Sequence, residues 1–145
     1  MHRLHRYAAW FIALEAIALA YVIQISPVSY AQFDACATLL VSQSLVERQT
    51  FALEGLPELE AVPGYAIEES GGHFYYAFPV GTPLLSMPFV ALERWSTDYA
   101  PLDHTRVQKR IAGFLVGALL VLMFALARVF LRPAEAAGMA SLAVL

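Results

Sequence analysis

Residues 111–131 read IAGFLVGALLVLMFALARVFL, with no charge before Arg128. At ~1.5 Å per residue a helix of this length rises ~30 Å, the thickness of bilayer hydrocarbon. Working towards the N-terminus, Tyr7–Ile25 reads YAAWFIALEAIALAYVIQI and is broken only by Glu15 and Gln24. It reads as a first span. Beyond the second span, a third apolar run opens at Ala136 and continues to Leu145. A natural chain seldom stops inside such a run, so the expectation is the N-terminal part of a longer multi-span membrane protein.

Composition agrees with a bilayer as solvent. Of 145 residues, 59% are hydrophobic and 14% charged, against roughly 45–50% and about 25% in soluble domains. The net charge of −3 excludes a nucleic-acid binder, which should be basic. The single cysteine, Cys36, cannot close an intrachain disulfide and belongs to no Cys/His metal spacing. The sequence lacks asparagine and therefore any N-glycosylation sequon. The first span has an alternative reading as a signal peptide, with a basic start and Ser29-Tyr30-Ala31 as cleavage site. Its apolar core is longer than the usual 7–15 residues, which favours a retained span.

Arg3 and Arg6 before the first span, and Arg128 with Arg132 closing the second, place both ends of this piece on the cytoplasmic side. The expected location is the cytoplasmic (inner) membrane, multi-pass. Residues 26–110 then form one long outer segment, with ten acidic and five basic side chains and no internal repeat. Against the positive-inside pattern, Arg106, Lys109 and Arg110 cluster at the outer end of the second span.

Four parts of the outer segment can be told apart. Ser29-x-x-Gln32 reads as a capping box opening a helix to about Glu47. Phe33, Cys36, Ala37, Leu40, Val41 and Leu45 share one face of it, a pattern expected of a helix lying on the membrane surface. Thr50–Pro63, with Gly55, Pro57 and Pro63, reads as an irregular loop. Tyr65–Ile67 and His73–Phe78 flank Ser70-Gly71-Gly72, which predicts a β-hairpin. Leu84–Trp95 is apolar, contains Pro88 and is too short to span; it predicts an interfacial or re-entrant helix with Trp95 near the headgroups. The fold class is therefore mainly α: transmembrane helices with an outer loop holding an interfacial helix and a short hairpin.

Several residues could carry chemistry. Asp34, a carboxylate in the first turn of a surface helix, suits proton acceptance from a hydroxyl or amine, and equally suits a helix dipole, worth about 0.3–1 kcal/mol. Arg106, Lys109 and Arg110 suit an anionic headgroup or lipid phosphate, or ordinary snorkelling at a helix end. His73, Tyr75 and Tyr76 offer aromatic surface and donors for a sugar or headgroup, as half-buried strand residues would also do. Glu15 lies mid-span, where a carboxylate is costly unless hydrogen-bonded to a neighbouring helix.

Taken in order, YAQFDACATLLVSQSLVERQTFALEG after the first span, then GGHFYYAFPVGTPLLSMPFVALE, then RVQKRIAGFLVGALLVLMFALARVFLR resemble the start of GT-C type membrane glycosyltransferases. That group includes protein O-mannosyltransferases and the lipid A aminoarabinose transferase. The resemblance covers nearly the whole chain but only two spans of a fold with about a dozen. It implies an active-site carboxylate in the first outer loop, where Asp34 stands, although Ala35 replaces the second acid usual there. It further implies a polyprenyl-phosphate sugar donor, a glycan, lipid or protein acceptor, inversion at the anomeric carbon and surrounding membrane lipid. The residues name no metal ligands and no cofactor; a divalent cation is the one the resemblance leaves open. The rival expectation is a non-catalytic membrane protein, a transporter subunit or assembly factor. Broken helices and midplane polar residues would mark a transporter, and only Glu15 qualifies.

Overall fold

Five α-helices and one hairpin make up the computed structural model among its described residues, which are 2–27, 34–62, 64–97 and 102–144. The fold is mainly α. Two units divide it: Met1–Pro27 with Lys109–Leu145, and Val28–Gln108.

The first unit holds α1 (His2–Ile25), most of α4 (His104–Ala127) and α5 (Pro133–Val144). From Tyr7 to Ile25 and from His104 to Ala127 the chain is long and apolar enough to cross a membrane. Small residues set the spacing of the two. A Cβ added at Gly113 would sit 3.3 Å from the Ala20 Cβ, and one at Gly117 would sit 3.7 Å from the Ala16 Cβ. Gly113-x-x-x-Gly117 thus meets Ala16-x-x-x-Ala20 in the antiparallel sense, the close approach that small-xxx-small patterns allow in lipid. Ala8, Ile12, Leu120, Ala137 and Ala140 close the seam with α5. The outward sides stay apolar: Trp10, Phe11, Leu14, Ile17, Phe114, Leu115, Leu122 and Leu126 are each more than half exposed. So much contiguous apolar surface is foreign to a water-facing protein.

The second span departs from its sequence reading at both ends. The helix starts at His104 and stops at Ala127, four residues short of Leu131. Pro133 is the reason. It cannot extend α4, but its fixed φ suits the first position of α5. The Glu135 carboxylate accepts from the Arg132 N–H at 3.1 Å and caps the new helix. Between them the chain tightens, with Val129 N–H on Leu126 O at 3.1 Å and Phe130 N–H on Ala127 O at 3.0 Å. Mid-span, the Ser141 hydroxyl lies 2.5 Å from Glu15 Oε2 and 3.0 Å from Ala137 O, giving Glu15 a partner on a neighbouring helix.

The second unit is built around α2 (Asp34–Arg48). Ala37, Leu40 and Val41 meet Leu53, Leu56, Val62 and Ala66 in its core; fully burying a leucine contributes about 1.5–3 kcal/mol. Of the predicted apolar face, Ala37, Leu40, Val41 and Leu45 pack in this core and not on lipid; Phe33 lies outside the described residues. Every residue from Ala37 to Ser44 is buried, because the following loop and α3 (Gly81–Ser96) wrap the helix. This corrects the surface-helix reading of α2. The Ser29/Gln32 capping box lies outside the described residues.

The loop after α2 contains a 3-10 helix, Pro57–Ala61. The hairpin forms from β1 (Ile67–Ser70) and β2 (His73–Tyr76), with Ser70 paired to His73. Its two-residue loop needs positive φ at both positions, which Gly71 (61°) and Gly72 (82°) supply. Tyr65 and Ala66 belong to a 3-10 turn and not to the strand. On α3, Pro83, Ser86, Val90, Glu93 and Arg94 are buried while Leu84, Leu85, Leu92 and Trp95 remain exposed.

Candidate functional site

Asp34 is the first residue of α2; the described structure gives it a backbone place and nothing of its side chain. What can be read is how firmly that helix is held. Ser42 Oγ donates towards Thr38 O (3.0 Å) or Pro83 O (2.8 Å) and lies 3.0 Å from Ser86 Oγ. Ser86 in turn reaches Thr82 O at 2.8 Å. These buried hydroxyls stitch α2 to α3. Ser44 Oγ donates to Ala52 O at 2.6 Å and ties the same helix to the next loop. At the far end, Arg94 donates through Nε and Nη2 to Glu47 Oε1.

A run of buried charge continues from there. Glu93, on α3, is fully buried, and its carboxylate meets Arg106 Nη1 at 3.4 Å. Arg106 Nε lies 3.7 Å from Asp103 Oδ2, while Asp103 Oδ1 accepts the Arg106 N–H at 3.0 Å. Asp103 is therefore the N-cap of α4. Glu47, Glu93 and Arg94 were not among the residues singled out from the sequence. The available signal was the pair Glu93-Arg94 inside an otherwise apolar stretch, where charges persist only when partnered.

The cationic triad divides among different tasks. Arg106 serves Glu93 and Asp103 as described. Lys109 Nζ donates to Ser26 O at 2.5 Å and stands 3.4 Å from Gln24 O. Those carbonyls end α1, where a helix leaves acceptors unsatisfied and its dipole favours a cation. Arg110 is half-buried one residue further along.

The hairpin residues also part company. His73 and Tyr75 share a face, with rings 6.2 Å apart and nearly edge-on. Tyr76 points to the opposite face: it packs against the core, its hydroxyl lies 2.9 Å from Thr38 Oγ1, and its ring is 5.5 Å from Phe78. The structure therefore joins two of the three predicted aromatic contacts and assigns the third to α2.

His73 closes a clasp at the surface of the second unit. Its Nδ1 bonds the Glu54 carboxylate, and Arg48 donates to the carbonyls of Glu54 and, at 2.9 Å, Gly55. Glu54's own backbone N–H, then His73, hold its carboxyl below the ordinary carboxylate range, with Arg48 adding attraction. A carboxyl held low in the folded state stabilises the fold above its unfolded value and loses that contribution as pH falls through the folded one. The clasp should therefore loosen as pH drops below about 4.5. Amide exchange in β1 and β2, compared at pH 5.5 and 3.5 after correction for intrinsic rates, should show the loosening. Glu54→Gln should remove the difference; an unchanged pH response in that variant would reject the assignment.

Among the described residues, no group of three or more His, Cys, Asp or Glu side chains comes together as a metal site. Compared with protein-family models, curated proteins and solved structures, the chain matches none. The functional reading therefore rests on its own residues and on the order of its motifs.

Proposed function

We propose that this chain forms part of a polytopic GT-C type glycosyltransferase, moving sugar from a polyprenyl-phosphate donor to an acceptor outside the cytoplasmic membrane. The observation that carries the proposal is the position of Asp34. It opens a buried, multiply clamped helix soon after the first membrane-length helix, in the loop where the resemblance puts the active-site carboxylate. In the reaction, Asp34 takes the proton of the acceptor hydroxyl or amine as that group attacks the anomeric carbon. The bond to the carrier phosphate breaks, the phosphate leaves with the electron pair, and the anomeric carbon inverts. Cations near the leaving phosphate stabilise its charge; Arg106, Lys109 and Arg110 are the candidates. A divalent cation belongs to the proposal only through the resemblance, and no step above passes through it. His73 and Tyr75 offer a ring face and a hydroxyl to the sugar or headgroup.

The exposed Leu84, Leu85, Leu92 and Trp95 of α3 support an interfacial position for that helix. With the N-terminus cytoplasmic, the second unit faces away from the cytoplasm. Cys at Glu69, an exposed strand position, should react with an impermeant maleimide on intact cells in a Cys36→Ser background. Labelling only after lysis would reverse the orientation.

A specific observation favours the non-catalytic alternative. Tyr76, Arg106 and Lys109 each already have partners within the protein, as purely structural residues would. Replacing the three cations together would therefore perturb the fold as well as any donor contact. The deciding experiment is transfer itself. Membranes carrying the full-length protein should move labelled sugar from polyprenyl-phosphate donors into lipid, glycan or protein. Absence of transfer across donor sugars and acceptor classes would leave the non-catalytic reading, a transporter subunit or assembly factor.

A further inference from the structure

We infer that the turn between α4 and α5 is a binding site for an anionic phospholipid. An apolar hollow of about 320 Å³ lies there, lined by Met123, Leu126, Phe130, Leu131 and Met139, with no polar surface. That volume falls at the lower end of the about 300–1,000 Å³ of small-molecule sites. A wholly apolar lining fits a hydrocarbon chain and offers nothing to a polar solute. Val129 and Phe130, at the turn itself, are strongly exposed, so the turn presents apolar groups outward at the end of a membrane-length helix.

Charge supplies the other half of the ligand. Arg128 and Arg132 bracket the lining residues Phe130 and Leu131 in the chain. Their side chains make no hydrogen bond or ion pair among the described residues. The acid nearest in sequence, Glu135, accepts from the Arg132 backbone N–H as the cap of α5. Two arginines adjacent in the chain to residues that line an acyl-sized hollow complement a phosphate ester bearing acyl chains, since guanidinium pairs with phosphate oxygens through two parallel hydrogen bonds. The ordinary role of Arg128, offsetting the negative end of α4, leaves most of its donors available. The inference requires the chain to cross a bilayer but not to transfer sugar, so a failed transfer assay would not touch it.

Native mass spectrometry of the detergent-solubilised full-length protein tests it, with phosphatidylglycerol and phosphatidylcholine of identical acyl chains as probes. A cation at an anionic lipid surface strengthens binding about fivefold. Wild type should therefore retain phosphatidylglycerol about 25-fold more strongly at one site. Arg128→Gln with Arg132→Gln should bring the two lipids level while leaving phosphatidylcholine retention unchanged. Met139→Trp, which fills the hollow from an exposed position, should weaken both lipids together. Equal retention of the two lipids by wild type would overturn the inference, as would a preference surviving in the double arginine variant. Retention that is indifferent to Met139→Trp would also overturn it, and would mean that another segment of the protein fills the hollow.

Discussion

Under the proposed transfer mechanism, Asp34→Asn should abolish most sugar transfer while leaving the protein inserted and folded. Asparagine keeps the size of the side chain and remains acceptable at a helix start, so the lost charge–dipole interaction should cost less than about 1 kcal/mol. It cannot take up the acceptor's proton, and general-base catalysis typically contributes 10²–10⁴-fold. The turnover of the full-length variant should therefore fall at least about 100-fold. The fall should appear in kcat and not in the apparent KM for the lipid-linked donor, because in the proposed reaction the carboxylate acts on the acceptor. Glu68→Gln, at an exposed position on β1, is the matched loss of one acid and should change transfer less than about twofold. Near-wild-type transfer by Asp34→Asn would make Asp34 a helix-start residue and move the base to another part of the protein.

The elements that follow from periodicity or backbone chemistry were legible in the sequence. Apolar length alone marks Tyr7–Ile25 and the second membrane-length helix, and Gly71-Gly72 marks the hairpin because few other pairs tolerate two positive φ values. The end of α4 was less legible, since an apolar run continues through Leu131 while the helix yields to Pro133 and its cap. The environment of α2 was not legible. A helix with one apolar face and small polar residues elsewhere reads as half-exposed. Here Thr38, Ser42 and Ser44 are buried, because each hydroxyl finds an acceptor or a hydroxyl partner on another element. Partners distant in sequence cannot be read from spacing. The same limit applies to the cations: Lys109 and Ser26 are 83 positions apart, so a cluster in sequence resolved into separate bonds.

Glu47 illustrates that limit with the second large effect. From its spacing it lies off the apolar face and would pass for an inert surface acid. Its side chain is 20% exposed, however, and that of its partner Arg94 11%. Exposed pairs contribute about 0–1 kcal/mol, whereas removing one member of a fully buried pair costs about 3–5 kcal/mol because the other charge is stranded. This pair sits nearer the buried limit, so Glu47→Gln should destabilise the α2–α3 packing by about 2–3 kcal/mol. Amide exchange from the middle of α2, read in the full-length protein, should then quicken about 30- to 150-fold. Combining Glu47→Gln with Arg94→Met removes the guanidinium that has lost its Glu47 carboxylate and keeps much of its aliphatic packing, and should recover most of the protection. Exchange within about threefold of wild type in Glu47→Gln would reduce the pair to a solvated bridge. The consequence reaches the other end of the helix. If Asp34 acts as a base, its carboxylate must stay within hydrogen-bond reach of the acceptor, and α2 holds that reach only while it is clamped at Ser42, Ser44 and Glu47. Glu47→Gln should therefore also lower transfer, by less than Asp34→Asn. The Arg94→Met double variant should restore transfer alongside exchange protection, which a base lost outright cannot do.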